Sequence, residues 1–231
     1  VAVLASTPLP GVEREDFVIR LLAILTILAS GSASASPSVS TAWIAAPPSG
    51  YAYTPAEGCP AEPLPLAVDL ARRTPREAVY PVCADQMTLF TDALARARSE
   101  GRLLLIEFGA TWCPWCRTLA AQLEGPAVLG RSDGTRTLGD DVLTLKIGIS
   151  TLSRGRRAAI PGGEAVLEHV LASVPGGKLR SVPFLVVVDP AAPSRTAVRN
   201  IDDLQRPLAA GAEPAFDADG LAGFLIAARD H

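Results

Sequence analysis

LLLIEFGATWCPWC, residues 103–116, decides how the rest of this chain is read. Leu103 to Phe108 is apolar apart from Glu107, the composition of a strand covered on both faces. A short turn follows, then Trp112-Cys113-Pro114-Trp115-Cys116, and from there Leu119 and Leu123 keep helical spacing until Gly125-Pro126. The order is strand, turn, cysteine pair, helix. Pro114 suits the first helical turn, where the N–H it lacks would have had no partner.

That order gives the cysteines a chemistry. A Cys at a helix start meets unpaired backbone N–H groups and the positive end of the helix dipole, both of which favour thiolate over thiol. The thiolate is the form that attacks disulfides. Two intervening residues put Cys116 one turn further on, where it can attack a mixed disulfide formed at Cys113 and so carry the pair between dithiol and disulfide.

Upstream, Asp85 is placed to cap a helix in which Met87, Phe90, Leu94 and Ala97 recur, with Gly101 to end it. Downstream, Leu143, Leu145, Ile147 and Ile149 alternate with Thr144, Lys146 and Gly148, the period of a strand. Residues 164–174 return to helical spacing through Val166, Leu167, Val170, Leu171 and Val174, and Pro175-Gly176-Gly177 stops them. FLVVV at 184–188 reads as a second buried strand, TAV at 196–198 as an edge strand, and Leu221, Phe224, Leu225 and Ala228 mark a final helix.

Nine of the twenty prolines lie between Pro37 and Pro81, so residues 36–82 read as an irregular, Pro-rich arm whose composition resists a packed core. Cys59 and Cys83 bracket its second half. In an oxidising compartment a bridge between them ties the arm to the domain behind it and contributes about 3 kcal/mol by the chain-entropy estimate. Two separate thiols are the alternative reading.

FVIRLLAILTILA at 17–29 is apolar apart from Arg20 and Thr26, and the small-residue stretch SGSASAS follows. This is the layout of a secretory signal peptide with cleavage after Ala35. Residues 1–35 therefore read as a signal peptide or, if uncleaved, as an N-terminal anchor, although the apolar run is shorter than the roughly 20 residues a spanning helix needs. A buried core helix is a third reading. Glu13, Glu15 and Asp16 put negative charge where a leader wants positive, which places the expected start of translation at Val18. The expected location is periplasmic or secreted.

Composition narrows the chemistry. A hydrophobic fraction of 48% over 231 residues is that of a globular protein. Twenty-one basic against twenty-four acidic residues give a charge of −3, with no positive surplus to neutralise a phosphate backbone, so nucleic acid is excluded as an expected partner. His169 and His231 are the only histidines, which disfavours most metalloenzymes and the Ser/His and Cys/His hydrolases; no metal is expected.

IEFGATWCPWC resembles the active site of the thioredoxin superfamily, in which a buried acid on a strand precedes a Trp-Cys-x-x-Cys turn. The resemblance covers about residues 85–230. Matched residue by residue, it makes Glu107 the buried acid, Trp112 the Trp before the first Cys, Cys113 the nucleophile and Cys116 the resolving thiol. Ser181-Val182-Pro183 ahead of FLVVV matches the family's cis-proline, which faces the Cys pair, and implies strand-like pairing of a substrate chain at Val182. A carboxyl buried beside Cys116 has its pKa raised by desolvation, which fits Glu107 to take the proton of that thiol. Trp115 is expected to be exposed, as an apolar contact for substrate chains, and Trp112 partly buried.

The resemblance implies an α/β thioredoxin fold over 83–231, with a central mixed β-sheet flanked by helices. It implies an exported thiol–disulfide oxidoreductase that reduces or exchanges protein disulfides. Protein thiols or disulfides are then the partners, a membrane electron donor is compatible with the reductive direction, and no cofactor is expected beyond the Cys113–Cys116 pair itself. Two departures stand out. The dipeptide between the cysteines is Pro114-Trp115, with no His to stabilise the Cys113 thiolate. Residues 150–182 exceed the usual connection before the cis-proline and hold Arg154, Arg156 and Arg157, read as a solvated loop or a partner surface.

Two accounts of other classes compete. A structural zinc site would use all four cysteines, but a single CxxC plus Cys59 and Cys83 is poor ligand spacing beside two CxxC knuckles. An interaction or chaperone module on the same fold keeps both thiols and shows no redox turnover.

Overall fold

The strand expected from LLLIEF runs as Leu103–Ala110 (β1) through the middle of a five-stranded sheet, and every residue after Leu103 is buried. The computed structural model describes residues 47–73, 79–174, 177–206 and 214–230. The signal-peptide reading of residues 1–35 and, within the arm, residues 36–46 and 74–78 lie outside the described residues. All described residues belong to one unit, Val39–His231.

In chain order the helices are Leu66–Ala71 (α1), Gln86–Glu100 (α2), Pro114–Glu124 (α3), Leu138–Asp141 (α4), Gly163–Leu171 (α5) and Ala218–Asp230 (α6). The other strands are Val142–Ser153 (β2), Arg156–Ala159 (β3), Phe184–Val188 (β4) and Ala197–Asn200 (β5). Strand order is β3-β2-β1-β4-β5, with β1 and β2 parallel and every other neighbouring pair antiparallel. The fold is thus α/β, an open mixed sheet with helices on both faces. No helix among the described residues is long and apolar enough to cross a membrane.

Alternation along β1 sorts the core into two layers. Leu104, Ile106 and Phe108 pack with Met87, Phe90 and Leu94 of α2 and Val166 and Val170 of α5. Leu105 faces the other way, into a layer with Leu119 and Leu123 of α3 and Leu221 and Leu225 of α6. Each such side chain, taken fully out of water, contributes about 1.5–3 kcal/mol. Local signals agree with this packing. The Asp85 carboxylate accepts the N–H of Met87 at 3.1 Å as the α2 cap, and Gly101 ends the helix in the left-handed region at φ 64°.

The long connection after Ile149 opens as a hairpin and not as a loop. β2 continues to Ser153, turns through Arg154 and Gly155 at φ 49° and 75°, and returns as β3, with Ser153 opposite Arg156. Two residues at positive φ are what a tight hairpin turn requires. Arg156 and Arg157 are exposed on this edge strand, so β3 lacks the apolar alternation that reveals a strand in sequence.

The described part of the arm is tied to the domain more closely than its proline content suggests. Tyr51 donates its hydroxyl hydrogen to the Asp85 carboxylate, Tyr53 donates to the carbonyl of Cys83 at 3.2 Å, and Glu57 pairs with Arg154 at 2.9 Å. Cys59 and Cys83 are joined as a disulfide, their Cα atoms 5.3 Å apart.

Candidate functional site

Cys113 and Cys116 stand where β1 hands over to α3. β1 ends at Ala110, whose carbonyl accepts the N–H of Cys113 at 3.1 Å and closes the turn. Cys113 is the N-cap of α3, Pro114 is its first helical residue, and the N–H of Cys116 donates to Cys113 Sγ at 3.1 Å. The two cysteines form a disulfide with Cα atoms 5.3 Å apart. Cys116 is fully buried, whereas Cys113 keeps 4% of its surface exposed, so Cys113 is the sulfur an incoming group meets.

The loop before β4 faces the pair. Cys113 Sγ lies 3.7 Å from the carbonyl oxygen of Val182, and the Val182–Pro183 peptide is cis. Ser181 Oγ donates to the Asp202 carboxylate at 2.8 Å, fixing this loop to the one-turn helix Asp202–Leu204.

Glu107 lies on β1, three residues before the strand's end, and is fully buried. Burial pushes its carboxyl up to about 7, opposed by a hydrogen bond from Tyr80 and by the charge of Lys146. Lys146 is its register partner on β2 and is itself paired with Glu124 of α3 at 2.5 Å. Glu107 Oε2 has no hydrogen-bond partner among the described residues.

The partner of Oε1 is a residue the sequence reading passed over. Tyr80, at the end of the arm, is fully buried and donates its hydroxyl hydrogen to Glu107 Oε1 at 2.7 Å. It shares one buried cluster with Ala110, Cys113 and Cys116. Its ring occupies space left by two glycines, Gly109 and Gly148, which are partners in the β1–β2 ladder. A signal for it existed: a lone Gly inside each strand pattern marks a close approach by something else.

Asp69 of α1, also missed, holds the segment that follows Tyr80. Its Oδ2 accepts the N–H groups of Val82, Cys83 and Ala84 at 2.5, 2.8 and 3.2 Å, while Arg73 pairs with Oδ1 at 2.9 Å. Asp69 is fully buried. A carboxylate in that position satisfies three backbone donors that would otherwise face a dry interior.

The two tryptophans of the cysteine motif, Trp112 and Trp115, differ in setting. Trp112 is partly buried; its indole N–H donates to Ser150 Oγ at 3.1 Å and the Arg157 guanidinium sits 4.0 Å over the ring. Trp115 is not the exposed side chain expected from the sequence. It is half-buried and meets Phe216 edge-on at 5.2 Å, because the segment before α6 brings an aromatic ring to the α3 face. Pro114 is exposed.

Among the described residues no group of three or more His, Cys, Asp or Glu is placed to hold a metal ion, and the four cysteines stand as two separate pairs. Comparison of the chain with models of protein families, with curated proteins and with solved structures returns no match in any of the three.

Proposed function

We propose that the chain is a thioredoxin-like thiol–disulfide oxidoreductase that reduces or exchanges protein disulfides outside the cytoplasm. One observation carries the reading: the Cys113–Cys116 pair closes at the N-cap of α3 beneath the Val182–Pro183 loop, with the buried Glu107 on the strand that leads into it.

In the reductive direction the Cys113 thiolate attacks one sulfur of a substrate disulfide. The substrate S–S bond breaks, a mixed disulfide forms at Cys113, and the first substrate thiolate leaves and takes a proton from water. Cys116 then gives its proton to the Glu107 carboxylate and attacks Cys113 Sγ. The mixed disulfide breaks, the second substrate thiolate leaves, and two electrons have passed to the substrate as the Cys113–Cys116 disulfide closes. A membrane dithiol donor of matching potential returns the pair to the dithiol. The N–H of Cys116 aimed at Cys113 Sγ favours the thiolate without a histidine. The carbonyl of Val182 beside that sulfur supports pairing with an extended substrate chain.

The location rests on the apolar run at 17–29 with its small-residue sequel, and on the Cys59–Cys83 bridge, which persists in an oxidising compartment. Cleavage after Ala35 releases the domain; an uncleaved segment keeps it at the membrane.

The test is trapping. Cys116→Ser is expected to accumulate covalent complexes with protein disulfides through Cys113, and the parent to speed dithiol-driven reduction of insulin. Reduction no faster than with the dithiol alone, and no trapped complex, would leave an interaction module without turnover.

A further inference from the structure

Tyr80 belongs to the Pro-rich arm, yet its hydroxyl ends on the buried carboxyl of Glu107 while its ring packs in the cluster that holds both cysteines. Three features fix it there. Its ring lies where a Cβ on Gly109 would overlap the hydroxyl and a Cβ on Gly148 would come within 2.9 Å of Tyr80 Cβ. The backbone that follows, Val82 to Ala84, is gripped by the buried Asp69 carboxylate. The next cysteine, Cys83, is bridged to Cys59.

We propose that Tyr80 is the positioning residue of the Glu107 carboxyl: its hydroxyl holds Oε1, so that Oε2 is the oxygen on which the proton of Cys116 is received and released. This rests on the redox reading of the pair. The phenol serves as a fixed donor because burial, and then the neighbouring Glu107 charge, keep its own ionisation well above the ordinary range. An oxygen engaged by a donor at 2.7 Å is a poor site for a second proton, and Oε2 is the oxygen without a partner among the described residues. The arm thereby becomes part of the active site.

Among the described residues, the groups that act on Glu107 are Tyr80 from the arm, Lys146 from β2 and Glu124 from α3. Tyr80 in turn shares its buried cluster with both cysteines at the start of α3. Tyr80 and Lys146 hold the carboxyl down, while burial and Glu124 raise it. Removing the hydroxyl therefore raises the titration of Glu107 and leaves less carboxylate at neutral pH.

The experiment is Tyr80→Phe, read in two ways. Carboxyl titration by infrared difference spectroscopy on the reduced resting protein, with Glu107→Gln to assign the band, needs no substrate. Resolution of a mixed disulfide preformed at Cys113 is then followed against pH. The expected result is a Glu107 titration moved to higher pH, with resolution several-fold slower at pH 7 and equal to the parent's at pH 9. A structural role alone would slow resolution alike at every pH. An unmoved titration and an unmoved profile overturn the proposal. A moved titration in a protein whose pair never resolves a mixed disulfide keeps the placement of Tyr80 and removes the redox reading. Should Tyr80→Phe not fold, 3-fluorotyrosine at position 80 is the second probe: a more acidic phenol is a stronger donor and moves the Glu107 titration down, and no movement overturns the proposal.

Discussion

A Cβ on Gly109 would overlap the hydroxyl of Tyr80, so the missing side chain at one position of β1 is what admits an aromatic ring from the arm. Gly148, opposite it in the ladder, extends the same floor, where a Cβ would also crowd Ile160 Cδ1 at 2.6 Å. Gly109→Ala is therefore expected to lower stability by about 1–3 kcal/mol through overpacking, read as a shift of the urea midpoint. An unchanged midpoint would mean that the ring does not rest there.

Asp69 offers a sharper loss. Asp69→Ala leaves three buried N–H groups and the Arg73 guanidinium without their acceptor. The expected cost is about 3–5 kcal/mol, the scale for breaking a buried charge pair from one side. Urea denaturation measures it, and a loss below about 1 kcal/mol would contradict the role given to this carboxylate.

Glu107 makes stability depend on pH with a definite sign. Its folded value, about 7, lies above the ordinary 4.5, so the folded state holds the proton more tightly than the unfolded chain. That contribution is complete below pH 4.5 and is lost as pH rises through 7. The span corresponds to about 3 kcal/mol at roughly 1.4 kcal/mol per pH unit. Glu107→Gln is expected to be more stable than the parent at pH 8, with the difference shrinking toward pH 5. Parallel stability curves for the two proteins would contradict the burial argument.

Much of this architecture was legible because single-chain signals and tertiary packing agree. LLLIEF and FLVVV are apolar throughout and lie buried in the sheet, and Asp85 and Gly101 cap the helix between them in the way their residue types favour. The cysteine pair was legible at the turn that ends β1, whereas Glu107 and Val182 were singled out by the resemblance to the thioredoxin superfamily; the structure buries the first and sets the carbonyl of the second 3.7 Å from Cys113 Sγ. What sequence did not disclose depends on contacts across distance. Tyr80 is 27 residues from Glu107 and sits in a proline-rich segment that carries no period. Asp69 is a charged residue whose burial follows only from three N–H groups arriving from 13–15 residues away. Trp115 looked exposed because nothing local announces Phe216.

The Cys59–Cys83 bridge closes a span of 24 residues around α1, Asp69 and Tyr80. Cys59→Ser combined with Cys83→Ser is expected to lose about 3 kcal/mol, measured by thermal or urea unfolding with the Cys113–Cys116 pair intact. No loss would mean that Asp69 and the tyrosine contacts hold the arm without the bridge.

The central claim is that Cys113 is an activated sulfur, and its alkylation rate in the reduced protein at pH 7 tests that most directly. A thiolate capped by the Cys116 N–H at a helix start is expected to react on the order of tenfold faster than an ordinary free cysteine, which is mostly protonated at that pH. A rate equal to or below that of the free cysteine, for both thiols of the pair, would contradict it.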